Sequence, residues 1–318
     1  MKLAAPHIGN LFNYATYKGI SEVELRKHLV NSSLDVCSIE NTIEDSEFLK
    51  VFEEVIKAEG SSYAGLNYGC YLNIKALGFI AQITLNASNM AQAVFILQQY
   101  FDNSFPFISL KASENKKQYI LQLECNIKNK NVRRHLLDAI YCFVYRELRL
   151  MVSDDLLPKL HMSTNDEAVC SLLLNSEVEK GSRHLIVFDR RVMDAEINTP
   201  RAKQIELLLP QFLKMLEKKK VGYKTFSIQV RNMVLNMCCP ELPSFEQVLA
   251  QFPLSSRTFQ RKLSEEGISF RRITDDIKKE LSTYLSKANK MKTQDIAFVL
   301  GYSEASAYLH AVKKWQLQ

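Results

Sequence analysis

The chain has 318 residues, 47% hydrophobic and 24% charged, with a formal net charge of +6. That balance excludes disordered, collagen-like and mucin-like polymers, and the length exceeds what one compact core usually holds, so two domains are expected. Of the 41 Lys+Arg, 14 lie in 224–318, against 9 of the 35 Asp+Glu, so five of the six net charges sit in the last third. A near-neutral body with a basic end fits a polyanion-facing unit, or simply a solvated basic surface.

Residues 1–216 read as mixed α/β. Ser21 to Leu29 has the pattern of a helix, with Ser21 as N-cap and Glu24 three residues on. Phe48 to Ala58 carries Val51, Phe52, Val55 and Ile56 at helical spacing. Phe79 to Leu85 alternates as a half-buried strand does, and Asn86 to Asn89 supply a turn and a cap. Met90, Ala93, Val94, Leu97 and Phe101 then form one helical stripe. The uncharged stretch Leu77 to Phe101 holds too many Asn and Gln to span a bilayer, so no membrane contact is expected.

Phe107 to Leu110 and Tyr119 to Glu124 are strand-like around the polar turn 113–117. Val132 to Met151 is a long helix, and Lys159 to Met162 and His184 to Phe188 are short strands. Arg201 to Lys219 is helical but interrupted by Pro210, where it should kink or split. The Lys-rich segment 217–225 is expected to be a linker between a first domain (1–216) and a C-terminal domain (226–318).

The seven Cys are odd in number and form no CxxC, which fits reduced thiols in a cytosolic protein. The N-terminus lacks an apolar core of signal-peptide length. No GxGxxG, GxSxG, HExxH or P-loop occurs, the six His are scattered, and Asp154-Asp155 precedes Pro158 in an expected loop. Neither an enzyme, a cofactor nor a metal site is expected. Tyr14, Tyr17, Tyr63, Tyr68 and Tyr71 could line a pocket for a small, partly apolar molecule, or could simply fill the core.

From Phe226 the pattern is all-helical. Ser244 to Gln247 is a capping box, and the short helix it opens must stop before Pro253. Ser255 caps a second helix that ends at Gly267. On it Phe259 and Leu263 face inward, while Arg257, Gln260, Arg261 and Ser264 share the outer face. A longer helix, Ser269 to Lys287, follows. Then the pattern recurs: Thr293 caps, Gly301 ends, and Ser303 caps a last helix with Tyr308, Val312 and Trp315 inward and Ser306, His310 and Lys313 outward. Two helix-turn-helix units joined by one long helix in a basic region point to DNA; a helical bundle used for dimerisation is the competing reading.

The segments 254–263 and 295–308 resemble the two signatures of AraC/XylS-type bacterial transcription regulators. Leu77-Gly78, the Asn86 to Tyr100 helix, Arg133 to Leu137 and Leu185 to Arg190 are similar to the subset with a mixed α/β effector domain. The resemblance implies that both units place a helix in successive major-groove segments of promoter DNA. It also implies a homodimer, control by an unidentified small molecule, and contact with RNA polymerase. Carried over by position, Arg257, Gln260 and Arg261 match the first reading helix, and Ser306 and His310 the second. Arg suits guanine and Gln suits adenine. Lys262, Lys313 and Lys314 suit phosphate, and Ser256 and Ser303 complete the candidate set.

Three departures from the resemblance stand out. Pro253 replaces the usual Gly of the first turn, Leu249 replaces a small Ala, and after Trp315 only Gln316-Leu317-Gln318 follow where a further turn and helix are implied. They lead to two expectations: exposure of the apolar face around Val312 and Trp315, and an alternative role as a module that sequesters a partner regulator without binding DNA.

Overall fold

The structure is a computed structural model that describes residues 2–72, 87–195, 197, 200–217, 225–238, 241–288 and 291–316. The chain divides into two compact units, Met1–Thr199 and Pro200–Gln318. The division falls ahead of the Pro210-containing helix, which is therefore grouped with the C-terminal unit and not with the first domain, as the sequence reading had it. Residues 218–224 of the expected linker and the expected strand 79–85 lie outside the described residues.

The first unit opens with β1 (Lys2–Ala4), α1 (Pro6–Tyr17), α2 (Glu22–Arg26), β2 (Thr42–Glu44), α3 (Asp45–Glu59) and α4 (Ala64–Tyr71). It continues with α5 (Met90–Ser104), β3 (Ile108–Glu114), β4 (Gln118–Cys125), α6 (Lys130–Met151), β5 (Lys159–Met162), α7 (Glu167–Leu174), β6 (Val178–Lys180) and β7 (His184–Asp189). β1 and β2 pair antiparallel. The larger sheet has the order β3-β4-β7-β5-β6, antiparallel except between β5 and β6. This is the mixed α/β architecture read from the sequence.

Local chemistry accounts for most element ends. Glu44 and Glu47 form a capping box at the start of α3, and Gly60, at φ 65°, closes its end in the left-handed region. Asn89 caps α5 and Asn129 caps α6. The β3–β4 hairpin turns on Asn115, whose side-chain oxygen accepts from the amides of Lys117 and Gln118, both at 2.9 Å. The helix expected over Ser21 to Leu29 is shorter. Ser21 caps it, but the Arg26 guanidinium donates to the carbonyls of Ser32 and Leu34 and draws the following loop back.

The core centres on α6. Gly65 and Gly69 bring α4 against it: a β-carbon on Gly65 would lie 2.0 Å from the His135 carbonyl oxygen, and one on Gly69 2.5 Å from that of Ala139. Arg146 of α6 donates to the carbonyls of Gly69, Cys70 and Leu72, satisfying the end of α4. The Tyr141 hydroxyl donates to Leu185 O, and Asp138 Oδ1 lies 2.8 Å from His184 Nε2, which ties α6 to β7. The N-terminal tyrosines pack as a chain of rings: Tyr14 lies 5.2 Å from Tyr68 and 5.3 Å from Tyr71, and Tyr17 lies 5.2 Å from Tyr71. Glu59, buried with Lys18 at 3.0 Å, also accepts from Tyr14 and Asn67. The six Cys that the structure describes are free thiols, with Cys70 Sγ 3.6 Å from Cys142 Sγ. No helix among the described residues is long and apolar enough to cross a membrane.

The C-terminal unit is helical: α8 (Pro200–Glu217), α9 (Phe226–Met237), α10 (Phe245–Leu249), α11 (Ser256–Glu265), α12 (Phe270–Ala288), α13 (Thr293–Val299) and α14 (Ala305–Gln316). Pro210 neither splits nor ends α8. Gln211 of α8 and Arg231 of α9 both donate to the Glu280 carboxylate of α12, which joins the three helices.

Two outcomes follow from the packing of α6. Gly65→Ala should lower unfolding stability by about 3 kcal/mol, because the clash is with backbone that cannot rotate away; chemical denaturation checks this. Glu147 is buried, its Oε2 has no hydrogen-bond partner, and burial pushes its pKa up to about 7 against a smaller opposing effect of Arg146. A carboxyl that holds its proton more tightly when folded favours the fold below its unfolded value of 4.5, and this contribution is lost as pH rises through 7. Glu147→Gln should remove that dependence. Its stability relative to wild type should rise by about 3 kcal/mol between about pH 4.5 and pH 8, read from denaturation midpoints.

Candidate nucleic-acid interface

The first helix-turn-helix is built by α10 and α11 around phenylalanine. Phe259 is fully buried, and its ring lies 5.0 Å from Phe226, 5.4 Å from Phe252 and 5.5 Å from Phe245, each edge to face. Phe245 reaches on to Phe270 at the start of α12. Ser244 and Gln247 form the expected capping box, and Ser255 accepts from the Thr258 amide. The turn between them forms without a left-handed residue, so Pro253 is accommodated where the resemblance implies Gly. Gly267, at φ 68°, ends α11: its amide bonds Ser264 O and that of Ile268 bonds Leu263 O, a Schellman closure. Glu266 caps α9 from the other side, accepting from the amides of Phe226 at 2.6 Å and Ser227 at 2.9 Å. Burial alone would raise its carboxyl, but bonds from Ser227 and Phe226 outweigh this and hold it below the usual range.

With Phe259 and Leu263 inward, the opposite face of α11 presents Ser256, Arg257, Gln260, Arg261, Lys262 and Ser264, all exposed. Arg257 has no partner among the described residues. Arg261 lies 3.6 Å from Glu265 in an exposed pair worth little. Lys262 departs from the expectation of a free cation: its ammonium sits 5.4 Å from the centre of the Phe226 ring.

The second unit repeats the plan with different chemistry. Ile296, Ala297, Val299 and Leu300 are buried under α13, and Gly301, at φ 76°, closes it. Its N-cap is Lys292, with Thr293 already the first helical residue, and α14 starts at Ala305, two residues beyond Ser303. Both caps expected from the sequence are therefore displaced. Tyr308 packs on Tyr302 and Trp315, and its hydroxyl lies 2.6 Å from Ser282 Oγ of α12. Trp315 is 5% exposed and Lys279 donates to its carbonyl, so the expected exposure of this face does not occur at Trp315; Val312 is half-buried. Ser303, Ser306, His310 and Lys313 stand exposed on the outer side. Lys314 is 3.7 Å from Asp275. Lys278 lies 4.7 Å from the Tyr302 ring centre, and burial lowers its pKa, partly offset by Asp275.

Two short helices, each followed by a longer one with an apolar inner face and a polar outer face, define a tandem helix-turn-helix unit. Relatives of the chain carry the same designation. It is 24% identical over 282 residues to the HTH-type transcriptional regulator VqsM of Pseudomonas aeruginosa, a match covering 83% of this chain and 84% of that protein. It is 33% identical over 73 residues to an uncharacterized HTH-type transcriptional regulator of Mycobacterium tuberculosis, covering 23% of this chain and 21% of that one. Among solved structures, the transcriptional regulator CdpR from Pseudomonas aeruginosa aligns over 98% of this chain and 96% of its own, at 17% identity and a TM-score of 0.45. No family model matches the chain.

Phe259 is the residue on which the first helix-turn-helix depends. Phe259→Ala should cost about 3–5 kcal/mol, read as a lowered denaturation midpoint.

Proposed function

We propose that the chain is a sequence-specific DNA-binding transcription regulator of the AraC/XylS type, acting in a bacterial cytoplasm. The observation that carries this reading is the pair of outward helix faces. α11 offers Arg257, Gln260 and Arg261, and α14 offers Ser306 and His310. The inner faces of both helices are committed to the core. Arg and Gln supply the donor pairs that read guanine and adenine edges in a major groove. Ser256 and Ser303 lie at or just before the helix starts, where backbone amides favour phosphate, and Lys313 is a free cation for the same task. Lys262 and Lys314 reach phosphate only by leaving Phe226 and Asp275. The designation of the relatives supports the same class.

In this reading the first unit binds a small-molecule effector and a second copy of the chain, and the DNA-bound form contacts RNA polymerase. The effector acts by binding more tightly to one of two states that differ in DNA affinity. The rival role, a module that sequesters a partner regulator, drew on the departures at Pro253, Leu249 and the end of the chain. The formed first turn and the buried Trp315 remove much of its basis.

Full-length protein should retain specific fragments from a chromosomal library in mobility-shift experiments at moderate salt. Arg261→Ala should weaken the preferred fragment by about 5- to 100-fold and relax its specificity. Lys313→Ala should weaken all fragments alike. If no fragment is retained, and Arg261→Ala and His310→Ala leave promoter output unchanged while a partner contact persists, the sequestering role replaces this one.

A further inference from the structure

An open groove of about 410 Å3 lies between the starts of α10 and α12 and the outer side of α11. Phe245, Leu263 and Phe270 give it an apolar floor, with the Phe245 and Phe270 rings 5.4 Å apart. The exposed rim carries Gln260 and Ser264 from α11, Ser269 from the turn before α12, and Arg271 from the first turn of α12. No Asp or Glu lines it. The two carboxylates at the end of α11 are engaged elsewhere: Glu265 pairs with Arg261, and Glu266 accepts from the first amides of α9.

Arg271 differs from its neighbour. Arg272 is half-buried, with its guanidinium 3.2 Å from Asp276. Arg271 is exposed, and its guanidinium has no partner among the described residues. An apolar floor, an uncompensated cation and neutral hydrogen-bonding side chains match a sugar-phosphate strand. The position of the groove narrows the occupant further. Gln260 and Ser264 stand on the same face of α11 as Arg257 and Arg261. When a reading helix lies in a major groove, the helix before it crosses the DNA backbone, so one strand passes between the two.

We propose that this groove seats the DNA strand flanking the bases that α11 reads, with Arg271 bonded to one of its phosphates. The inference rests on the DNA-binding reading above and adds to it a cation that the reading helix does not carry. The planar guanidinium can meet two phosphate oxygens at once. Such a contact sets the register of the protein on the duplex and carries no sequence information.

The test is fluorescence anisotropy of the full-length chain on its preferred fragment and on an unrelated one, at several salt concentrations. Arg271→Ala should weaken both by the same factor and lower the slope of log affinity against log salt by about 0.9. Arg271→Lys, which keeps the charge, should keep the slope. Fragments with a single uncharged methylphosphonate, moved along each strand in turn, locate the contact. Wild type should lose affinity at a phosphate flanking the bases whose substitution Arg261→Ala no longer senses. Arg271→Ala should lose nothing further at that phosphate. An unchanged slope in Arg271→Ala, or equal sensitivity of wild type and Arg271→Ala to every methylphosphonate, would overturn the proposal and leave the regulator reading standing. If affinity and slope hold but promoter output falls, the groove takes a protein partner instead. Wild type that binds neither fragment sinks the regulator reading, and this inference with it.

Discussion

Helix α4 lies so close to α6 that two of its positions have no room for a β-carbon. Gly65 meets the His135 backbone and Gly69 meets that of Ala139. Much else in the first unit is placed by that approach. It brings Tyr68 and Leu72 together with Leu136, Ile140 and Phe143 around a small apolar cavity of about 20 Å3. It brings the α4 carbonyls within reach of Arg146. It also leaves the Gly65 amide facing His135, whose Nδ1 accepts it at 3.1 Å. A helix with no polar face can be stable here because it is enclosed on every side and its ends are satisfied by side chains from its neighbour.

The C-terminal unit solves a different problem with different means. Its helices α10, α11 and α13 are short, so each needs help at its ends and a dense contact on one face. Ser244, Ser255, Gly267 and Glu266 supply the ends in the first half, and the ring cluster around Phe259 supplies the contact. In the second half Tyr308 does the same through Ser282 and Trp315. Because the inward positions carry the stability, the outward ones are free to vary with the ligand they meet. Arg257 and His310 have environments that impose nothing on their identity.

The helical C-terminal half was more legible in the sequence than the first unit, for a physical reason. Caps and chain-ending glycines are local signals, and Ser255, Gly267 and Gly301 act where they stand. The stripe of Phe259 and Leu263 against Arg257 and Arg261 is likewise a one-dimensional pattern. In the first unit, α3, α5, α6 and the β3–β4 hairpin show the same kind of signal. α1 and α4 do not: Ala5 caps poorly, and α4, AGLNYGCY, is buried on all sides and carries no stripe. The displaced caps at Thr293 and Ser303 show that a capping residue type marks a neighbourhood more than a position. The cavity was invisible beyond a surplus of tyrosine, because it is assembled from five helices far apart in the chain.

The basic character of the C-terminal unit is smaller in action than on paper. Lys278 lies over an aromatic ring, Lys279 holds the Trp315 carbonyl, Arg231 is bound to Glu280, and Arg272 faces Asp276 at 3.2 Å. Cations already neutralised or desolvated by the protein displace few counterions when a polyanion arrives. For duplex DNA each phosphate newly neutralised contributes about 0.9 to the slope of log affinity against log salt. In the proposed DNA-binding role, the ionic-strength dependence follows the cations unengaged among the described residues, Arg257 and Lys313 foremost, and falls well short of the total written in the sequence.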